Sequence, residues 1–175
     1  MRWMWIDRIV ALEKGERCVT VKNVSLAEEH LHDHFRAEGG RPAVPVMPGP
    51  LMIEGMAQTA GILVGHARDF KEKVILAKIG KASLERDVHP GQTLYYSATL
   101  DRIDESGAST TGVVELVDHA GAAGSGGKAE RVEIGRIDLM FSHIDQNMKG
   151  LAFPEHNFVF TDQFMDLLRN SGFGE

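Results

Sequence analysis

The chain has 175 residues, enough for one domain with an appendage, and a formal net charge of −6. Its 43% hydrophobic and 25% charged content is that of a globular protein and excludes a disordered, collagenous or coiled-coil chain. The acidic balance argues against nucleic acid or an anionic membrane surface as a partner. One cysteine, Cys18, cannot close an internal disulfide. No apolar run is long enough for a membrane span or shaped like a signal peptide, so a cytoplasmic protein is expected.

Ile6 to Leu12 and Arg17 to Val24 alternate polar and apolar residues around Glu13-Lys-Gly-Glu16, which predicts a hairpin. Ser25 is placed to cap a short helical turn, with Glu28 at the capping-box position three residues on. Arg36 to Val46 carries Gly39-Gly40, Pro42 and Pro45 and predicts loop. Pro48-Gly49-Pro50 then opens a helix running to Gly65. Its only polar side chains are Glu54, Gln58 and Thr59, so it should be buried nearly all round. Strand-like runs follow at Val74 to Lys81, Thr93 to Asp104, Thr110 to Val117 and Arg131 to Ser142, without helices between them, and hence antiparallel. The glycine-rich stretch from His119 to Lys128 should be a flexible hairpin loop, and Asp162 to Arg169 a short helix capped by Thr161, with Phe164, Leu167 and Leu168 on one face. The residues thus predict an α+β domain, with about six antiparallel strands and one apolar helix.

Three features carry candidate chemistry. Glu54 stands in an apolar helix, where a carboxylate must be paired, reach the open end, or serve as a general acid tuned by burial. Gln58, one turn on, could orient it or could satisfy a backbone group of the core. His30, His32 and His34 alternate without the ligand pattern of a zinc site; one of them could act as a base, or all three could be polar loop residues. His66, His89, His119, His143 and His156 fall in turns or at strand ends and suggest no role. At the helix start, where backbone N–H groups favour developing negative charge, the Gly49 N–H must donate because Pro50 has none. A base, an acid and an oxyanion donor together suit removal of a proton beside a carbonyl.

Trp5-Ile-Asp-Arg-Ile9, Val21-Lys-Asn-Val-Ser25, His34-Phe35, Pro45-Val-Met-Pro-Gly49 and Glu54-Gly-Met-Ala-Gln58 resemble the motifs of the (3R)-hydroxyacyl-[acyl carrier protein] dehydratases of the FabZ and FabA type. Ala82 to Gly91 resembles the family's strand ending in a tight turn. The resemblance implies a hot-dog fold over residues 1–145, with an antiparallel sheet wrapped around the long central helix. Residues 146–175 are left as a C-terminal extension with a short helix packed on the same domain. It also implies homodimers with shared active sites, alone or as a trimer of dimers. His34 would be the base and Glu54 of the partner subunit the acid, which as a glutamate favours the FabZ type. Gly49 would polarise the thioester carbonyl, and the Val46 carbonyl would hold the His34 ring; Gln58 completes the predicted substrate-binding set. No cofactor or metal is implied. The partner would be acyl carrier protein bearing a 3-hydroxyacyl chain, with Lys71, Lys73, Lys78 and Lys81 as a candidate basic patch for it. Asp33 and Arg36 depart from the motif around His34, and the loop from His34 to Pro48 is longer than the family's. A hot-dog acyl thioesterase and a non-catalytic acyl-thioester binding protein are the alternative readings.

Overall fold

A computed structural model describes residues 3–120, 129–144, 154 and 156–174. Strands β1 (Arg8–Glu13), β2 (Arg17–Asn23), β3 (Val74–Leu84), β4 (Gln92–Ile103), β5 (Gly107–Asp118) and β6 (Arg131–His143) form a single sheet in the order β1-β2-β4-β5-β6-β3. Every pairing is antiparallel. Helix α1 (Glu29–Asp33) and helix α2 (Gly49–Ala67) lie between β2 and β3, and helix α3 (Asp162–Ser171) lies near the C-terminal end.

One face of the sheet packs on α2, and the strands alternate to match. In β5, Ala108, Thr110, Gly112, Val114 and Leu116 lie on one face and are buried, while the residues between them are half-exposed. From α2, Met56, Ala60, Ile62, Leu63 and Val64 meet that inner face with no residual exposure. Full burial of such an aliphatic side chain is worth about 1.5–3 kcal/mol, so this helix is the largest single contributor to the core. Two glycines let α2 approach its neighbours. A Cβ on Gly55 would lie 2.6 Å from the Tyr96 ring of β4, and one on Gly65 would lie 2.3 Å from the ring of Phe160.

The helix is not buried all round. Leu51, Glu54, Gln58 and Gly61 are half-buried and follow one another at helical spacing, so a single stripe of α2 stays open. The helix also extends to Ala67, which puts His66 in its last turn and not in a loop. The Ser25 turn forms one step before the predicted helix. The Ala27 N–H donates to the Ser25 hydroxyl at 3.2 Å and the Ser25 N–H to the Glu28 carboxylate at 3.2 Å, while α1 itself begins at Glu29. Thr161 holds the N-cap position of α3, but its side chain makes no capping bond.

Strand β3 is the outer strand beside β6, and it is exposed along most of its length, including Leu76 and Ile79. The C-terminal segment packs on the domain at three places. The Asn157 amide donates to the Phe70 and Glu72 carbonyls at 3.1 and 3.2 Å, Phe160 is buried against Gly65, and the Ser171 hydroxyl accepts the Ile9 N–H at 3.0 Å. The glycine-rich residues 121–128 and the expected boundary at 145/146 lie outside the described residues. Among the described residues no helix is long and apolar enough to cross a membrane.

Candidate active site

His34 is positioned from both sides in sequence. Before it, buried Lys22 on β2 donates to Glu28 at 2.5 Å and holds the start of α1 against the sheet, while Leu31 anchors α1 in the core. After it, Phe35 adopts a left-handed φ of 56°, an uncommon conformation for a bulky side chain, and its ring stacks on the imidazole at 4.4 Å. The extra residues of the loop are taken up by a small turn. Glu38 and Arg41 exchange backbone hydrogen bonds at 3.2 and 2.9 Å across Gly39 and Gly40, whose φ angles of 57° and 83° suit glycine. The Phe35 carbonyl accepts the Val44 N–H at 2.9 Å and closes the base of this hairpin. The chain therefore returns to Val46 beside the histidine, and His34 Nδ1 donates to the Val46 carbonyl. A carbonyl only accepts, so the proton sits on Nδ1 and the lone pair on Nε2 is left for chemistry.

His34, Val46 and Gly49 line one cavity of about 400 Å³ together with Met47, Met52 and Leu84. Gly49 is the first residue of α2, so its N–H stands at the positive end of the helix.

Glu54 and Gln58 line a different cavity, of about 380 Å³. The orientation of Gln58 is settled by backbone groups. Its Oε1 accepts the Trp5 N–H at 2.9 Å and its Nε2 donates to the Trp3 carbonyl at 3.0 Å, so the amide cannot be flipped. The same Nε2 donates to Glu54 Oε1 at 3.0 Å. That bond occupies one carboxylate oxygen as acceptor and leaves Oε2 as the seat of any proton. The Trp3–Trp5 strap was not legible as part of the site, because its tie to Gln58 spans 53 residues of sequence.

Among the described residues, His34 and Glu54 share neither a hydrogen bond nor a cavity. The cause is helical geometry: with 3.6 residues per turn, Glu54 points about 200° round α2 from Met52, which lines the His34 cavity. The three clustered histidines separate as well. His30 lies edge-on to Trp5 at 5.0 Å, and burial lowers its pKa, partly offset by Glu28. His32 Nε2 contacts the Leu26 carbonyl at 2.8 Å. Among the described residues no group of three His, Cys, Asp or Glu is placed to hold a metal ion. Of the candidate docking lysines, Lys71, Lys78 and Lys81 are exposed, but Lys73 is buried and cannot belong to a surface patch.

Comparison with known proteins agrees with this architecture. Residues 2–121 match the FabA-like domain family. The chain is 35% identical over 121 residues to the 3-hydroxyacyl-[acyl-carrier-protein] dehydratase FabZ of Caldanaerobacter subterraneus subsp. tengcongensis, covering 69% of this chain and 82% of that one. It is 39% identical over 105 residues to the FabZ of Paracidovorax citrulli, covering 58% and 68%. Among solved structures, an acyl-CoA hydrolase of Staphylococcus aureus in complex with coenzyme A aligns with a TM-score of 0.57 at 13% identity, covering 95% of this chain and 86% of that chain. The E. coli PaaI protein aligns with a TM-score of 0.53 at 11% identity, covering 79% of each. At such identities these structures speak for the fold alone, which is the hot-dog fold. The sequence relationships go further, and the chain belongs to the FabA-like family as a dehydratase of the FabZ type.

Proposed function

We propose that this protein dehydrates (3R)-3-hydroxyacyl thioesters of acyl carrier protein to trans-2-enoyl thioesters in fatty acid or related lipid biosynthesis, acting as a homodimer with two shared sites. The observation that carries this reading is the opposed placement of His34 and Glu54 around α2. A second copy is needed to bring Glu54 of the partner subunit to His34, and the exposed edge strand β3 offers a place for two sheets to join. The reducing conditions suited to its lone buried thiol fit a cytoplasmic setting.

In each site His34 Nε2 takes the proton from C2 of the substrate. The released electron pair forms the C2–C3 double bond as the C3–O bond breaks, and the departing hydroxyl leaves as water with the proton of Glu54. The Gly49 N–H polarises the thioester carbonyl while negative charge develops on it. The Val46 carbonyl fixes the imidazole tautomer, and Gln58 fixes the carboxylate.

The test is complementation. His34→Ala and Glu54→Gln should each lower turnover by about 10²–10⁴-fold, the usual loss for a general acid or base. Random mixing of the two unfolded and refolded variants should restore about a quarter of wild-type activity, because half of the dimers then hold one intact site. A mixture no more active than its components would remove the shared-site reading. Release of free thiol without enoyl product would favour the thioesterase alternative.

A further inference from the structure

The cavity that holds Glu54 is walled mainly by apolar residues. Glu54 and Gln58 line it together with Gly61, Val74, Phe141 and Phe164, and Thr161 and Gln163 add polar groups from the C-terminal segment. A volume of about 380 Å³ is within the range of small-ligand clefts, and mainly apolar walls beside one carboxylate suit an alkyl chain whose functional end meets Glu54. Along α2 the run from Glu54 to Gly61 is about 10 Å, the reach of a medium-length acyl chain.

One wall is supplied by the C-terminal segment, beyond residue 121 where the match to the FabA-like domain ends. That wall is fixed in place. Phe160 sits on Gly65 where no Cβ would fit, and its ring packs edge-on to Phe70 at 5.0 Å and Phe164 at 5.3 Å. The Asn157 amide ties the same stretch to the Phe70 and Glu72 carbonyls.

We propose that the segment from Phe160 to Phe164 is the acyl-chain stop of this enzyme, with Phe164 setting how long a chain the Glu54 cavity admits. The inference rests on the dehydratase reading for the identity of the substrate. It does not rest on it for the shape of the cavity.

The experiment compares kcat/KM for 3-hydroxybutyryl, 3-hydroxyoctanoyl and 3-hydroxydodecanoyl thioesters in the full chain and in two variants. Phe164→Ala removes the stop and should raise the dodecanoyl-to-butyryl ratio on the order of tenfold, about what a methylene-sized change in an apolar pocket achieves. Gly61→Leu fills the cavity from the helix side, where the nearest atom to a Cβ is a Phe141 ring carbon at 3.8 Å, and should lower the same ratio by a similar factor. Binding of the matching saturated acyl-pantetheine amides, measured by calorimetry, should shift in the same directions. That measurement keeps the proposal testable if the wild-type protein dehydrates none of the thioesters, in which case only the dehydratase reading fails. Chain-length profiles of both variants that superimpose on the wild type, in turnover or in binding, would overturn the acyl-chain stop.

Discussion

Gln58 holds Glu54 by a hydrogen bond of 3.0 Å from its amide to Glu54 Oε1, one turn apart on the open stripe of α2. The bond has a defined direction only because the other atoms of the amide are committed to the backbone of Trp3 and Trp5. A carboxylate on an apolar helix is thus oriented by the N-terminal strap, through a residue that need not touch substrate.

Gln58 should therefore behave as a positioning residue. Gln58→Ala is expected to lower kcat by about 10-fold or more with a smaller change in KM, and to move the limb of the pH–rate profile that Glu54 governs, which a purely structural role would leave in place. Losing the acceptor also strands the Trp5 N–H, at a cost of about 1–3 kcal/mol in urea unfolding. A variant that loses stability but keeps the wild-type pH profile would confine Gln58 to holding the strap.

Gly65→Ala tests the docking of the C-terminal segment. Helix propensity alone favours alanine by about 1 kcal/mol in a helix interior. A Cβ at that position would fall 2.3 Å from Phe160 Cζ, so the substitution should instead destabilise the protein by about 1–3 kcal/mol, as overpacking does. The penalty should vanish in the Gly65→Ala, Phe160→Ala double variant. A Gly65→Ala single variant as stable as the wild type in denaturant unfolding would show that Phe160 does not seat on α2.

Cys18 is fully buried, and desolvation pushes its thiol from an ordinary 9.0 up to about 12. It should be inert to iodoacetamide in the native state near neutral pH and react only after denaturation, because the thiolate is the reactive form. The linkage is alkaline. A neutral thiol is preferred by the folded protein, so its contribution to stability is complete below about pH 9 and declines as pH rises toward about 12. Tyr96 is raised in the same direction by burial, with Asp7 and Glu28 adding to it. Cys18→Ala should flatten the fall of stability with alkaline pH in chemical denaturation; an unchanged slope would count against this assignment.

Local sequence determined the elements and the chemistry-bearing residues. Periodicity along α2 and alternation along the strands report which face each residue turns to the core, and both are short-range properties that survive without knowledge of the partners. The motifs around His34, Gly49 and Glu54 likewise singled out the candidate site residues. Tertiary structure decided what those side chains meet. The half-open stripe of α2, the strap of Trp3 to Trp5 pinned by Gln58, and Phe160 seated on Gly65 depend on residues 53 and 95 positions apart in the chain, where no local pattern links them. The placement of His34 and Glu54 in separate cavities is of the same kind. It follows from the rotation of the helix between Met52 and Glu54 combined with the return of the loop to Val46, and neither term alone reveals that the two residues face apart within one chain.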